Sequence, residues 1–430
     1  MEWRTVVVIV LVVSLCFFIV PIRVGPDKAV EEDAELFAKY VARYNKSYKD
    51  EPAEYNKRFE HFQKSLRHIK KLNGLRSSQE SAYYGLTEFS DLSKDEFLQQ
   101  TLLPDLPLRG QKHMIASYYH QHLTSSVNRV KRLTGIPSKF DWRDQKVVGP
   151  VASQESCGAC WAFSTVGVAE SMYAIKNGTL YSFSVQEVGR YIPDTLFYLQ
   201  REGAARGRDP ASQNANFTEV LSRKHRRINW PYTLMDIKSS WMIDCMPGGN
   251  GCQGGDICSL LSWLSTSKTR ITSETDYPLT LRADTCRLPK IAAKTSGVIV
   301  TDFTCDSLKA GHRTVSIAPV FANNRVCFSF VDAETELLTQ LVTHGPMAAA
   351  VNAISWQHYL GGVIQCQCDG SFNSLNHAVQ IVGYDTAASI PHYIIKNSWG
   401  PSFGDKGYIY IAVGKNLCGI ANQVSSLEVG

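Results

Sequence analysis

Hydrophobic and polar positions divide the 430-residue chain into four regimes. The first is an apolar run from Val6 to Val20, behind the single positive residue Arg4. A run of about 15 residues suits the apolar core of a secretory signal peptide. It falls short of the roughly 20 residues that a membrane span requires. A signal peptide over residues 1–24 is therefore predicted. An uncleaved anchor is the alternative, because no clear small-x-small cleavage site follows. No other segment is long and apolar enough to span a bilayer.

The second regime, residues 31–100, is charged and helix-favouring, and Pro52 is its one proline. Pro52 opens a periodic stretch, where a helix tolerates it. Glu54, Arg58, Phe62, Ser65, Ile69 and Asn73 follow at intervals of 4, 4, 3, 4 and 4. That spacing places all six on one helix face. Glu54 and Arg58 become i,i+4 neighbours, an ion pair worth about 0.2–0.5 kcal/mol in an isolated helix. The third regime, residues 104–135, is mixed, polar and rich in turn formers, as in an exposed linker. Arg129-Val-Lys-Arg132 within it is either solvated charge or a run open to a processing protease. The fourth regime carries the globular patterning. Trp161 to Glu170 reads as a buried helix with Cys160 at its N-terminus, and another helix is predicted near Glu334 to His344.

Composition adds bounds. The chain is 44% apolar and 20% charged, with length enough for two or three domains. A net charge of +5 without a long basic run gives no support to nucleic-acid binding. Twelve cysteines behind a signal peptide point to an oxidising compartment. Asn45, Asn177 and Asn216 open N-x-Ser/Thr sequons, which fits passage through the secretory route.

Candidate chemistry is concentrated at separated places. Gln154-Glu-Ser-Cys157-Gly-Ala-Cys160-Trp161 sets an amide six residues before a cysteine. Far downstream come Asn376-His377-Ala378 and Asn397-Ser-Trp399-Gly400. A thiol attacks carbonyl carbon only as thiolate, which an imidazolium or a helix N-terminus favours. Cys157-Gly-Ala-Cys160 is also a C-x-x-C, so a redox or zinc site is a rival. For zinc, Cys366-Gln-Cys368 is the only tight second pair.

Taken together, these elements resemble the papain-like cysteine proteases. The resemblance covers residues 31–103 and most of 134–429. It implies an α+β fold: a mainly helical left domain from about Phe140, a β-barrel-like right domain, and a helical inhibitory pro-region in front. It implies that Cys160 is the nucleophile and His377 the acid and base. Asn397 would orient the imidazole, Trp399 shield that bond, and Gln154 bind the oxyanion. The face from Glu54 to Asn73 resembles the long pro-region helix, with Ser65 where asparagine is usual. Gly85-Leu-Thr-Glu-Phe89-Ser-Asp91 resembles the second pro-region motif, with Thr87 in place of asparagine. In the family this segment lays a strand backwards through the cleft and inhibits the enzyme until removed. Thr134-Gly-Ile136-Pro137 resembles the start of a mature enzyme, so maturation is expected between Arg132 and Ile136. The expected division is signal 1–24, propeptide 25–132 and peptidase domain 133–430.

The resemblance also implies disulfides Cys157 with Cys252, Cys245 with Cys286, and Cys368 with Cys418. Among the remaining cysteines, Cys305 is expected to pair with Cys327. Gly254 and Gly255 would form the cleft wall whose backbone pairs with an extended substrate. Leu375, Ala378, Ala350 and Gln423 fall where the family builds the pocket for the residue two before the scissile bond.

The chain departs from the pattern mildly at Ala159, Glu155 and Phe403. Two insertions depart further. Ser184 to Val188 should continue into Ile243-Asp244-Cys245 as one short helix, yet Gly189 to Met242 intervene. Residues 305–328 interrupt the right domain. Each insertion is read either as retained intron sequence or as a surface loop.

The expected function is a lysosomal or secreted cysteine endopeptidase, made as a zymogen and needing no metal or other cofactor. Its expected partners are polypeptide substrates, its own propeptide as intramolecular inhibitor and cystatin-like inhibitors. No nucleic acid is expected, and the chain should be a monomer. The alternative is a papain-fold binding or scaffold protein disabled by the insertions.

Overall fold

The computed structural model describes residues 28–103, 135–186, 243–244, 246, 251–282, 297–306, 320–322, 325–327, 331–365 and 368–430. The predicted signal peptide, the linker with Arg129 to Arg132, Asn216, Cys245, Cys286 and Cys366 lie outside them. Most of both predicted insertions does too. Among the described residues no helix is long and apolar enough to cross a membrane.

The chain divides into two compact units. The first holds residues up to His68 together with Ser90–Leu92. Helix α1 (Lys28–Arg43) and most of helix α2 (Pro52–Asn73) belong to it. Phe37 and Phe62 are fully buried, with ring centroids 5.0 Å apart. Asp91 is the polar hub of this unit. It accepts hydrogen bonds from the Tyr40 hydroxyl at 2.8 Å, the Tyr48 hydroxyl at 2.6 Å and Lys46 Nζ at 3.0 Å. Arg58 donates to Glu54 at 2.7 Å and to the Asp91 carbonyl at 3.3 Å. The helix predicted from the Glu54 to Asn73 spacing is thus present, with its i,i+4 ion pair formed.

The second unit is residues 69–89 and 93–430. It opens with strand β1 (Tyr83–Tyr84) and helix α3 (Lys94–Thr101). A capping box starts α3: Glu96 N–H donates to Ser93 Oγ, and Ser93 N–H donates to the Glu96 carboxylate. Strand β2 (Lys139–Asp141) and helix α4 (Cys160–Asn177) follow. Helix α4 is buried along most of its length, as its apolar run predicts. Gly178 ends it in the left-handed conformation at φ 72°, which glycine adopts without steric cost. Helix α5 (Ile257–Ser267) begins at Asp256, whose carboxylate caps the Ser259 N–H at 2.8 Å.

The remaining elements are β3 (Arg270–Ile271), β4 (Val298–Asp306), β5 (Val320–Ala322), β6 (Arg325–Cys327), α6 (Val331–Thr343), β7 (Met347–Val351), β8 (Tyr359–Gly361), β9 (Val363–Ile364), β10 (His377–Asp385), β11 (His392–Lys396), β12 (Tyr408–Ala412) and β13 (Val424–Val429). The main sheet runs β3-β4-β13-β7-β10-β11-β12-β9, with β2 also paired to β10. Every pairing is antiparallel except β12 with β9. Strand β10 is buried on both faces and pairs with β7, β2 and β11. Helix α4 packs on β10 and β13. The architecture is the expected α+β class.

Two expectations change. Cys305 bonds Cys258, not Cys327, with an S–S distance of 2.10 Å. Cys258 lies in the first turn of α5 and Cys305 at the end of β4, two elements that pack together. Packing of α5 against β4 decides the pairing. The pairs Cys157–Cys252 and Cys368–Cys418 are present. The second change concerns the short helix. Val185 and Gln186 form a bend, and Ile243 and Asp244 a turn, so these described flanks are not helical. They still meet: Gln186 Nε2 donates to Asp244 Oδ1 at 2.9 Å, and the Tyr277 hydroxyl donates to Asp244 Oδ2 at 2.8 Å. The chain thus leaves at Gln186 and returns at Ile243 in one place.

Candidate active site

Cys160 is the first residue of α4, where the helix presents unpaired N–H groups and the positive end of its dipole. It is fully buried and its thiol is free. Its neighbour in the C-x-x-C, Cys157, is bonded to Cys252 and so forms no redox pair with it. The described residues contain no group of three or more His, Cys, Asp or Glu placed to hold a metal.

His377 is the first residue of β10 and is fully buried. Its Nε2 and Asn397 Oδ1 are 2.7 Å apart. The amide oxygen accepts, so Nε2 carries the proton and Nδ1 is the free nitrogen of the neutral ring. Nδ1 has no hydrogen-bond partner. The Trp399 ring lies over the imidazole with centroids 4.8 Å apart, and Trp356 meets it edge-on at 5.9 Å. These rings exclude water from the His377–Asn397 bond. The backbone N–H of Ala378, next in the strand, favours the Cys160 thiolate.

Burial governs the charges. It pushes the Cys160 thiol up to about 12, against the opposing backbone hydrogen bonds. It pushes His377 down to about 4, against the opposing Asn397 bond. Both shifts favour the uncharged thiol and imidazole.

Gln154 is fully buried and held at both ends. The Ser398 hydroxyl donates to its Oε1 at 2.6 Å. Its Nε2 donates to the Cys157 carbonyl at 3.0 Å and to the Thr101 carbonyl at 3.1 Å. Thr101 ends α3, so an upstream segment of the same chain occupies this amide. The Leu103 N–H donates to the Asn376 carbonyl at 2.7 Å, one residue before His377. Phe89 and Phe97 stand edge-on to Trp399 at 5.5 and 5.6 Å. Leu103 is 2% exposed and packs where Gly254 lacks a side chain: a Cβ there would lie 2.8 Å from its Cδ2.

The rest of the predicted set sorts as follows. Gly255 backs onto Trp161, whose ring would lie 2.4 Å from an added Cβ. Ala350 and Ala378 are direct cross-strand partners, and the Ala350 N–H donates to the Gln423 carbonyl at 3.0 Å. Gln423 Nε2 donates to Asp256 Oδ2 at 2.8 Å, beside the Cys258–Cys305 bond. Leu375 is buried two residues before His377. Sequence reasoning missed Ser398, although it lies inside the Asn-Ser-Trp-Gly segment. It missed Asp256, whose signal is the helix cap before Ile257. It also missed Thr101 and Leu103, which no local pattern marks.

Comparison with known proteins decides the family. Residues 136–189 and 218–427 match the family described as papain family cysteine protease. The chain belongs to the papain family of cysteine proteases. Residues 37–97 of this papain-family chain match the cathepsin propeptide inhibitor domain, so it is a zymogen with an intramolecular inhibitor. Cathepsin O of Homo sapiens is 32% identical, over 86% of this chain and 87% of its own length. Cathepsin O of Mus musculus is 30% identical over 85% and 88%. The solved structure of a digestive procathepsin L2 proteinase from Tenebrio molitor larval midgut is 25% identical, with a TM-score of 0.60 over 92% of this chain and 99% of that one. The family match omits residues 190–217, inside the predicted insertion 189–242, and runs unbroken through 305–328.

Proposed function

We propose that Cys160, His377 and Asn397 are the catalytic triad of an endopeptidase, with Gln154 and the Cys160 backbone N–H binding the oxyanion. The observation that carries this reading is the His377–Asn397 bond of 2.7 Å, which leaves Nδ1 free on a strand that packs against α4. In the proposed cycle His377 takes the Cys160 proton, and the thiolate sulfur bonds to the peptide carbonyl carbon. The oxygen becomes negative and accepts from Gln154 Nε2. Collapse breaks the C–N bond, and His377 gives its proton to the leaving amine. Water, giving a proton to His377, then attacks the thioester. Its C–S bond breaks, and Cys160 recovers the thiol.

The Thr101 carbonyl on Gln154 and the Leu103 N–H on Asn376 support a blocked precursor, since both groups are then unavailable to substrate. Cleavage between Arg132 and Ile136 is proposed to free them. Gly254, Gly255, Leu375, Ala378, Ala350 and Gln423 are proposed to line the substrate side, with Trp399 over the leaving-group side. Asn45 and Asn177 are exposed and are proposed glycan sites, as is Asn216. We place the enzyme in the lysosome or outside the cell, as a monomer open to cystatin-like inhibitors. The test is hydrolysis of a fluorogenic peptide amide by the matured protein. Turnover lost in Cys160→Ser and strongly reduced in Asn397→Ala supports the triad. Equal turnover in Cys160→Ser sinks it.

A further inference from the structure

The helix that carries Cys160 and the strand that carries His377 are joined by one buried side chain. Gln380 stands on β10, three residues beyond His377, and is 2% exposed. Its Nε2 donates to the Gly167 carbonyl of α4 at 2.9 Å and to the Ser171 hydroxyl at 3.0 Å. The Ser171 hydroxyl donates to the same Gly167 carbonyl at 3.0 Å. Both amide protons are used, and the three groups close a triangle. Gly167 makes room for it, since a Cβ there would lie 2.8 Å from Gln380 Oε1.

The triangle sits at matched distances from the two reacting groups. Seven helical residues separate Gly167 from Cys160, about 10 Å at 1.5 Å per residue. Three strand residues separate Gln380 from His377, about 10 Å at 3.3 Å per residue. The triangle thus ties helix to strand about 10 Å along each element from Cys160 and His377. A partly open pocket of about 220 Å³ adjoins the triangle, bordered by Val166, Gly167, Glu170, Gln380, Lys396 and Asn397.

We propose that Gln380 is a positioning residue for the peptidase reaction: it clamps α4 to β10 and thereby aligns Cys160 with His377, touching neither substrate nor the reacting atoms. This rests on the triad proposed above. Glu170, Glu274 and Lys396 are the charged groups that border the same pocket, and the variants below leave them in place.

The test uses matured wild type, Gln380→Leu, Gln380→Glu and Ser171→Ala. Three quantities are read: kcat, KM, and the pH profile of Cys160 alkylation by iodoacetamide. Misplacing reacting groups by about 1 Å costs on the order of 100-fold. Gln380→Leu should therefore lower kcat by about 10- to 100-fold while KM stays within about threefold. Its alkylation profile should move to higher pH, because a misaligned imidazolium no longer favours the thiolate. Gln380→Glu keeps a donor only while its carboxyl is protonated, so its activity relative to wild type should rise as pH falls. Ser171→Ala removes one side of the triangle and should fall between. If Gln380→Leu does not fold, Gln380→Glu and Ser171→Ala decide. Variants with a lowered melting temperature but wild-type kcat and alkylation profile overturn the clamp and leave the triad standing. Wild type that neither hydrolyses peptide amides nor alkylates selectively at Cys160 overturns the triad and the clamp together.

Discussion

Gln154 Nε2 donates a 3.1 Å hydrogen bond to the backbone carbonyl of Thr101. The amide proposed to receive a substrate oxyanion thus holds a carbonyl from the segment just beyond the propeptide-domain match. The Ser398 hydroxyl, donating to Gln154 Oε1, fixes which end of the amide faces Thr101. In the proposed mechanism, inhibition and transition-state binding share this one donor.

Removing that donor should weaken both. Loss of one oxyanion-hole hydrogen bond costs about 2.7–4 kcal/mol, or about 100- to 1000-fold in kcat. Gln154→Ala in matured protein should lose that much kcat with little change in KM, measured by steady-state kinetics on a peptide amide. A loss below about threefold would remove Gln154 from the oxyanion site.

Acid should loosen the covered precursor. Burial holds His377 at about 4, below its ordinary 6.5. A lowered value means that the neutral ring stabilises the folded precursor above pH 6.5. That contribution is lost as pH falls toward 4, and its size is on the order of 3 kcal/mol. Cys160 acts oppositely: its raised value gives stability at low pH that is lost only as pH rises toward 12. Urea midpoints of the precursor should therefore fall between pH 6.5 and 4, and fall less in His377→Gln. A wild-type midpoint flat across that window would contradict the buried neutral imidazole.

The pro-region should be anchored by Leu103. Truncating a buried leucine costs about 2–5 kcal/mol. Leu103→Ala, at a site 2% exposed against Gly254, should raise basal activity of the uncleaved precursor. The readout is turnover in a variant whose processing run is replaced so that it stays intact. Unchanged silence would mean that Leu103 does not hold the block.

Peptide mapping of the unreduced protein should find Cys258 linked to Cys305. Cys305→Ser would then leave Cys258 as a free thiol and lower stability by about 2–4 kcal/mol. A Cys305–Cys327 peptide would restore the pairing that the sequence alone suggests.

The sequence carries the helices and the reacting groups well. Helix α2 is legible because its apolar and charged face repeats at 3.6, and α4 because its apolar run starts at a cysteine. The partners of His377 are legible only through resemblance to a known family, since Asn397 is twenty residues away and lies across a sheet. Contacts made by tertiary packing are illegible. Nothing local marks Gln380 as reaching Gly167, Cys258 as meeting Cys305, or Thr101 as reaching Gln154. Each depends on how α4, α5 and β10 pack, which periodicity does not report. The contact between the insertion's flanks is illegible for the same reason: Gln186 and Asp244 meet through a side-chain hydrogen bond.

The most direct measurement is labelling of the matured protein with a peptide epoxide, with the adduct located by mass spectrometry. One adduct on Cys160, absent in His377→Ala and blocked in the uncleaved precursor, is the predicted result. Soluble, correctly processed protein that takes no adduct at Cys160 would contradict a working Cys160–His377 pair.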